Sequence, residues 1–239
     1  MRSGPDNFLT LYKYRSLAEP HGRSGAEDII LHNRLFWQSP ITFNDPFDCS
    51  PFLFFGNNTH ERNDFARRAA SSQPGLSRTQ RRMKLKEIAS MQTDEHEATF
   101  RTKWKTWMGE TAVSCFSEKN DHPLMWSHYA NSHRGICFIF QEQGNPNPWF
   151  GFDVIYSIDR PKVNLTEFRN LETMQDSLLN KSSHWSYEHG HRMIDWRSPP
   201  GFRNFPKEVL QGVIFGAKIG LEDEKFILSL IRRRPHLRA

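Results

Sequence analysis

The sequence predicts an α+β fold: a mixed, mainly antiparallel sheet with one helical insertion. Three observations carry this expectation. Short apolar runs, alternating or continuous and rich in aromatic residues, recur toward both ends of the chain. Between them, residues 57–107 read as successive helices instead. The resulting order, strands on either side of a helical block, is that of α+β proteins. With 239 residues, 37% hydrophobic, 19 Phe and 7 Trp, one domain over 1–239 can bury a substantial core.

In chain order, "NFLTLYKYRS" alternates and is aromatic, which predicts a strand. "GAEDIILHNRLFWQSP" reads as a short helix turning into a second strand, stopped at Ser39-Pro40. "ITFNDPFDCSPF" is loop chemistry, with Asn, Asp and Pro. "NDFARRAA", "RTQRRMKLKEIASM" and "DEHEATFRTKWKTWM" are the insertion's helices, with "SSQPGLS" a loop. "TAVSCFS" is a strand. In "NDHPLMWSHYANSHRG", Asp121 or His122 suits an N-cap, Pro123 the first helical position and Gly135 the exit. Leu124, Met125 and Tyr129 share one face of that helix, which Trp126 and Ala130 extend. "ICFIF" is a buried strand, "PNPWFGFDVIYSID" another, and "FRNLETMQDSLLNKSSHW" is helical to Lys181. "WSYEHGHRMIDW" alternates as a strand, "VLQGVIFGAK" is the last strand, and "LEDEKFILSLIRRR" is an amphipathic helix whose basic end suits its dipole.

The net charge is +5. Residues 57–107 hold 11 Lys/Arg against 6 Asp/Glu, so the basic excess is local to the insertion. A solvated helical face is the ordinary explanation; docking of nucleic acid or phosphate is the functional one. Cys49, Cys115 and Cys137 are odd in number and form no CxxC, which argues against a disulfide framework and fits a reducing cytoplasm. No signal-peptide core and no run of about 18 apolar residues is present, so no membrane association is expected.

Among the 11 histidines, "HWSYEHGH" gathers His184, Glu188, His189 and His191, but it is not HExxH and spacing identifies no third ligand; no metal is expected. Cys115 and Cys137 read as small buried apolar residues rather than nucleophiles. GxSxG, GxxxxGK[ST] and GxGxxG are all missing. What remains is Glu188 with Arg192, beside Trp185 and Tyr187, together with Lys13, Arg15 and Asn44-Asp45. On one strand face Glu188 and Arg192 form a plain ion pair; the alternative is a carboxylate beside cations that hold a phosphorylated ligand.

Five stretches resemble, in order and spacing, the signatures of a widespread bacterial family, domain of unknown function 2971. They are "LYKYRS", "ILHNRLFWQSPITFNDPFDC", "CFSEKNDHPLMWSHYANSHRGICFIF", "KSSHWSYEHGHRMI" and "VIFGAK". A cationic first strand followed by "DIILHNRLFWQS" also resembles the opening of ADP-ribosyltransferase-like toxins. That resemblance implies an ADP-ribosyltransferase-like sheet core and NAD as substrate. It further implies modification of a protein or nucleic-acid target by a toxin, effector or defence component. By position, Lys13 or Arg15 would be the first-strand cation, Ser117 with the helix of Trp126 and Tyr129 the middle element, and Glu188 the late acid. Catalytic roles would fall to Glu188, Arg192 and Arg15. NAD would be held by Lys13, Tyr14, Arg15, Ser39, Asn44, Asp45, Ser117, Trp126, Tyr129 and Tyr187. One departure stands out: the unknown-function family usually reads Tyr-Glu-x-Glu-x-Arg, whereas this chain reads Tyr187-Glu188-His189-Gly190-His191-Arg192. If the missing acid matters, the protein is a degenerate nucleotide- or nucleic-acid-binding module.

Overall fold

The computed structural model describes residues 9–18, 21–142, 151–167 and 171–239. β1 (Leu9–Arg15) buries Leu11. Helix α1 (Gly22–His32) stops where Asn33 enters the left-handed region at φ 49°, and β2 (Arg34–Trp37) begins at once. Ser39 caps a single 3₁₀ turn at Pro40–Thr42, and β3 (Phe52–Phe54) follows the loop. The insertion supplies α2 (Thr59–Ser71), α3 (Arg78–Ser90) and α4 (Thr93–Glu110). Next come β4 (Ala112–Ser117), α5 (Pro123–Tyr129) and β5 (Ile136–Glu142). The short strands β6 (Phe152–Asp153), β7 (Ile155–Ser157) and β8 (Lys162–Asn164) lead to α6 (Leu171–Leu179) and β9 (Asn180–Ser182). A 3₁₀ turn at Ser183–Glu188 precedes β10 (Gly190–Asp195); β11 (Gly201–Asn204), β12 (Leu210–Phe215) and α7 (Leu221–Ile231) complete the chain.

The protein is mixed in helix and strand, around a six-stranded sheet of order β12-β5-β1-β4-β10-β6. Its neighbouring strands pair antiparallel. Antiparallel β2 and β11 form a separate ribbon, while β3 with β8 and β7 with β9 are short parallel pairs. One face of the sheet, with Leu11, Phe116, Phe138, Phe140 and Met193, packs against Ile29 and Ile30 of α1 and Ile227 and Leu230 of α7. Phe138 is fully buried, worth about 2–3 kcal/mol for such a side chain. The opposite face is covered by Trp126 of α5 and the Ala130 that caps it against Cys137, and by Met108 with Cys49 and Leu178 against Val113.

Several expectations shift. Leu124 is 44% exposed, so the apolar face of α5 is Met125, Trp126 and Ala130. The helix expected to reach Lys181 ends at Leu179, because Asn180–Ser182 pairs with β7. The strand expected over "PNPWFGFDVIYSID" lies partly outside the described residues and otherwise divides into β6 and β7. The strand expected from Trp185 begins only at Gly190, since the preceding residues form a 3₁₀ turn ended by His189 at φ 43°. His189 therefore lies outside the strand that carries His191. α3 contributes no buried residue, and Arg78, Arg81 and Arg82 are exposed on it. All three cysteines are free. Among the described residues no helix is long and apolar enough to cross a membrane.

Candidate functional site

The site begins as a gap in the sheet. β1 pairs with β5 from Leu9 to Arg15, whereas toward β4 only Tyr12 and Ser117 are in register. Beyond that pair Lys13 bridges the opening with its side chain. Its Nζ donates to the Cys115 carbonyl at 2.9 Å and to Ser114 Oγ at 3.1 Å, and lies 4.8 Å from the centre of the Phe116 ring. A cavity of about 750 Å³ opens here, walled by Tyr12 to Arg15, by α1 at Gly25 and Asp28, by β4 and by the start of β10. That volume lies within the range of small-ligand sites.

Two cations on this wall lack an acidic partner among the described residues: Lys13 and Arg15. Arg15 Nη2 donates to the His21 carbonyl at 3.2 Å, but its buried Nε has no partner. Gly25 makes room for it, because a Cβ there would stand 1.9 Å from Arg15 Nη2. Burial pulls Lys13 down to about 8, with Cys115 opposing and Arg15 reinforcing the shift. Burial lowers Arg15 as well, against the attraction of Asp28. An incoming anion would supply the partner that both lack.

Across the cavity lies a buried chain of charges. Glu188, 7% exposed, accepts the Tyr129 hydroxyl at 2.6 Å on Oε1 and Lys181 Nζ at 2.6 Å on Oε2. Lys181 Nζ is also 3.6 Å from Asp48 Oδ2. Asp48 takes Arg192 on both oxygens, at 2.7 and 2.6 Å. Acid and base thus alternate through Glu188, Lys181, Asp48 and Arg192, with no net charge, which offsets the desolvation of each. Arg192 further donates to the Leu178 carbonyl and approaches Cys49 Sγ at 3.2 Å. Burial, then the Glu188 charge, raises Tyr129, so its hydroxyl stays protonated as the donor.

Of the expected residues, Lys13, Tyr14, Arg15, Asn44, Ser117, Tyr129, Glu188 and Arg192 all line this one cavity. Four others do not. Ser39 caps the 3₁₀ turn and donates to the Met108 carbonyl at 2.8 Å. Asp45 accepts the Phe47 amide at 2.9 Å within its own loop. Trp126 is core, its Nε1 bonded to the Asn120 carbonyl at 2.8 Å. Tyr187 stacks on His122, ring centres 5.0 Å apart. The expected Glu188–Arg192 pair does not form, because Glu188 belongs to the 3₁₀ turn and takes Lys181 while Arg192 takes Asp48. Ser117 is structural as well: its hydroxyl donates to the Glu188 carbonyl at 2.6 Å and accepts the Lys119 amide at 2.9 Å.

Sequence reasoning missed Asp48 and Lys181. Asp48 is the last acid of "FNDPFD", and Lys181 opens "KSSHW"; neither spacing announces its partner. Gly190, where the pattern the chain resembles has a second acid, is also informative. Gly190 donates its amide to Tyr156 Oη at 2.7 Å, and a Cβ on it would stand 2.9 Å from that oxygen and 3.0 Å from Val154 Cγ2. Tyr156 and Val154 thus crowd the position from which a side chain would leave. Nearby, Glu118, Asp153 and His191 bring possible ligand atoms within 4.8 Å of one another, with His191 Nδ1 and Asp153 Oδ1 already hydrogen-bonded at 3.0 Å. Comparison with protein-family models, curated proteins and solved structures gives no match to this chain.

Proposed function

We propose that the cavity between β1 and β4 binds NAD and that the protein is an ADP-ribosyltransferase-like enzyme related to the unknown-function family it resembles. One observation carries the reading: Lys13 and Arg15, which form no ion pair among the described residues, and the buried acid Glu188 line the same cavity. Lys13 and Arg15 grip the pyrophosphate through their charged ends. Glu188 is held by Lys181 and Tyr129, and each of its oxygens keeps a further acceptor position for a ribose hydroxyl. Cleavage of the nicotinamide–ribose bond sends the bonding pair to the nicotinamide nitrogen and leaves positive charge on the ribose. A fixed carboxylate stabilises that charge until the acceptor nucleophile bonds to the ribose carbon.

The test is incubation of the purified chain with labelled NAD, with and without cell lysate, beside Glu188→Gln. Release of nicotinamide and labelling of a target, both lost in the variant, support the reading. A folded protein that neither binds NAD by calorimetry nor releases nicotinamide refutes it.

A second reading is favoured by α3, whose Arg78, Arg81 and Arg82 are exposed and unpaired among the described residues. In it the protein is a catalytically degenerate module that docks nucleic acid on this helix. It predicts affinity for RNA or DNA that falls steeply with salt and is lost on reversing these three charges; salt-independent or undetectable binding rules it out.

A further inference from the structure

The cavity has a direction, read from three attachments to β4. At Val113, Gln38 pairs with the strand through N–H···O contacts of 3.0 and 2.8 Å, which anchors the β2/β11 ribbon. At Cys115 the carbonyl receives Lys13. At Ser117 the hydroxyl holds the backbone of Glu188. From Val113 to Ser117 an extended strand covers about 13 Å. The ribbon and the acid therefore stand at opposite ends, with a cation between them.

At the ribbon end, among the described residues, Phe36 and Phe202 are the large apolar side chains that both line the cavity and stand exposed, at 50% and 45%. They are Cα partners across the ribbon, and their rings meet edge to face at 5.3 Å. The Arg34 guanidinium lies 4.4 Å from the centre of the Phe202 ring and is itself fixed by Asp28 at 2.7 Å. The Phe202 ring is thus held in place by Phe36 and Arg34, although its surface stays half open. Rings fixed and exposed beside cations that form no ion pair among the described residues are what a flat heteroaromatic group carrying phosphates requires.

We propose that Phe36 and Phe202 form the base-stacking seat of a nucleoside diphosphate whose phosphates lie at Lys13 and Arg15. Resting on the NAD reading above, this orients the substrate: adenine on the ribbon, pyrophosphate in the gap, nicotinamide ribose at Glu188. The seat fixes affinity and orientation and takes no part in bond cleavage.

Calorimetry with ADP, inorganic pyrophosphate and nicotinamide mononucleotide tests it on the full chain, on Phe36→Leu and on Phe202→Leu. ADP is expected to bind at least about tenfold more tightly than pyrophosphate, from the value of one stacked base. Each variant should lose about that factor for ADP while binding pyrophosphate and the mononucleotide as before. Equal affinity of the wild-type protein for ADP and pyrophosphate overturns the seat and leaves the anion site standing, whether or not the variants fold. Mononucleotide binding weakened as much as ADP binding overturns the orientation. Binding of none of the three removes the seat and the NAD reading together.

Discussion

Replacing Asp48 by Asn keeps the shape of the buried charge chain and removes one of its acids. Arg192 is 2% exposed and cannot shed its proton, so it stays charged with its acidic partner gone. Lys181, 6% exposed, keeps only Glu188. Breaking such a pair costs about 3–5 kcal/mol, because the surviving charge stays buried. The Leu178 carbonyl still accepts from Arg192, which places the expectation at the lower half of that range. In a chain of 239 residues, each kcal/mol moves Tm by about 2–4 °C, so a fall of about 6–16 °C is expected. Urea unfolding followed by tryptophan fluorescence at neutral pH measures it, and an unchanged m-value shows that the loss is in stability. Adding Arg192→Met should recover most of the loss, since an apolar side chain of similar length leaves no charge to compensate. A single variant weakened by under about 1 kcal/mol, or a double variant as weak as the two losses summed, would falsify the claim that this pair is mutually dependent.

Lys13 gives a pH signature. Its value of about 8 in the fold, against 10.5 when free, means that between those values the unfolded chain holds the proton more tightly. This site's contribution to stability therefore rises with pH across that window and is smallest below pH 8. Lys13→Met should accordingly remove the rise in stability between pH 8 and 10.5 while weakening ADP; a variant that keeps the same rise contradicts this. Wild-type affinity for ADP should fall as pH rises through 8, and calorimetry on either side of that value detects it. Gly190→Glu, which introduces the acid of the pattern the chain resembles, should cost about 1–3 kcal/mol by forcing Tyr156 and Val154 aside and should not raise NAD consumption. Thermal melts and nicotinamide release check it, and a faster, equally stable variant contradicts it.

Periodicity alone located β1, α1, β4, β5, β12 and α7, because each presents a regular apolar face to one core. The 3₁₀ turn at Ser183–Glu188 was hidden, since "WSYEHGHRMIDW" alternates through it and no residue marks the change before His189. The short strands β8, β9 and β11 escaped for a different reason: three or four residues carry too little pattern, and their pairing is set by distant chain. Within the site, Lys13 and Arg15 were legible as charges on an aromatic strand, and Glu188 as the late acid of the pattern the chain resembles. Their convergence on one cavity was not, because it depends on β1 and β4 parting after a single rung. Asp48 and Lys181 were illegible for the same reason, their roles being written by partners far away in the chain.

That single rung has a mechanical consequence. The strands β12, β5 and β1 form one leaf and β4, β10 and β6 another, and among the described residues the strands are in register across the seam only at Tyr12 and Ser117. Cohesion across the seam otherwise rests on side chains, with Lys13 as a strut and Phe116 against Phe140 as a clasp. Whatever fills the opening therefore joins the two leaves, so occupancy and rigidity rise together. Amide protons of β1 and β4 that border the seam should exchange faster than those between β1 and β5, and should slow when the cavity is loaded.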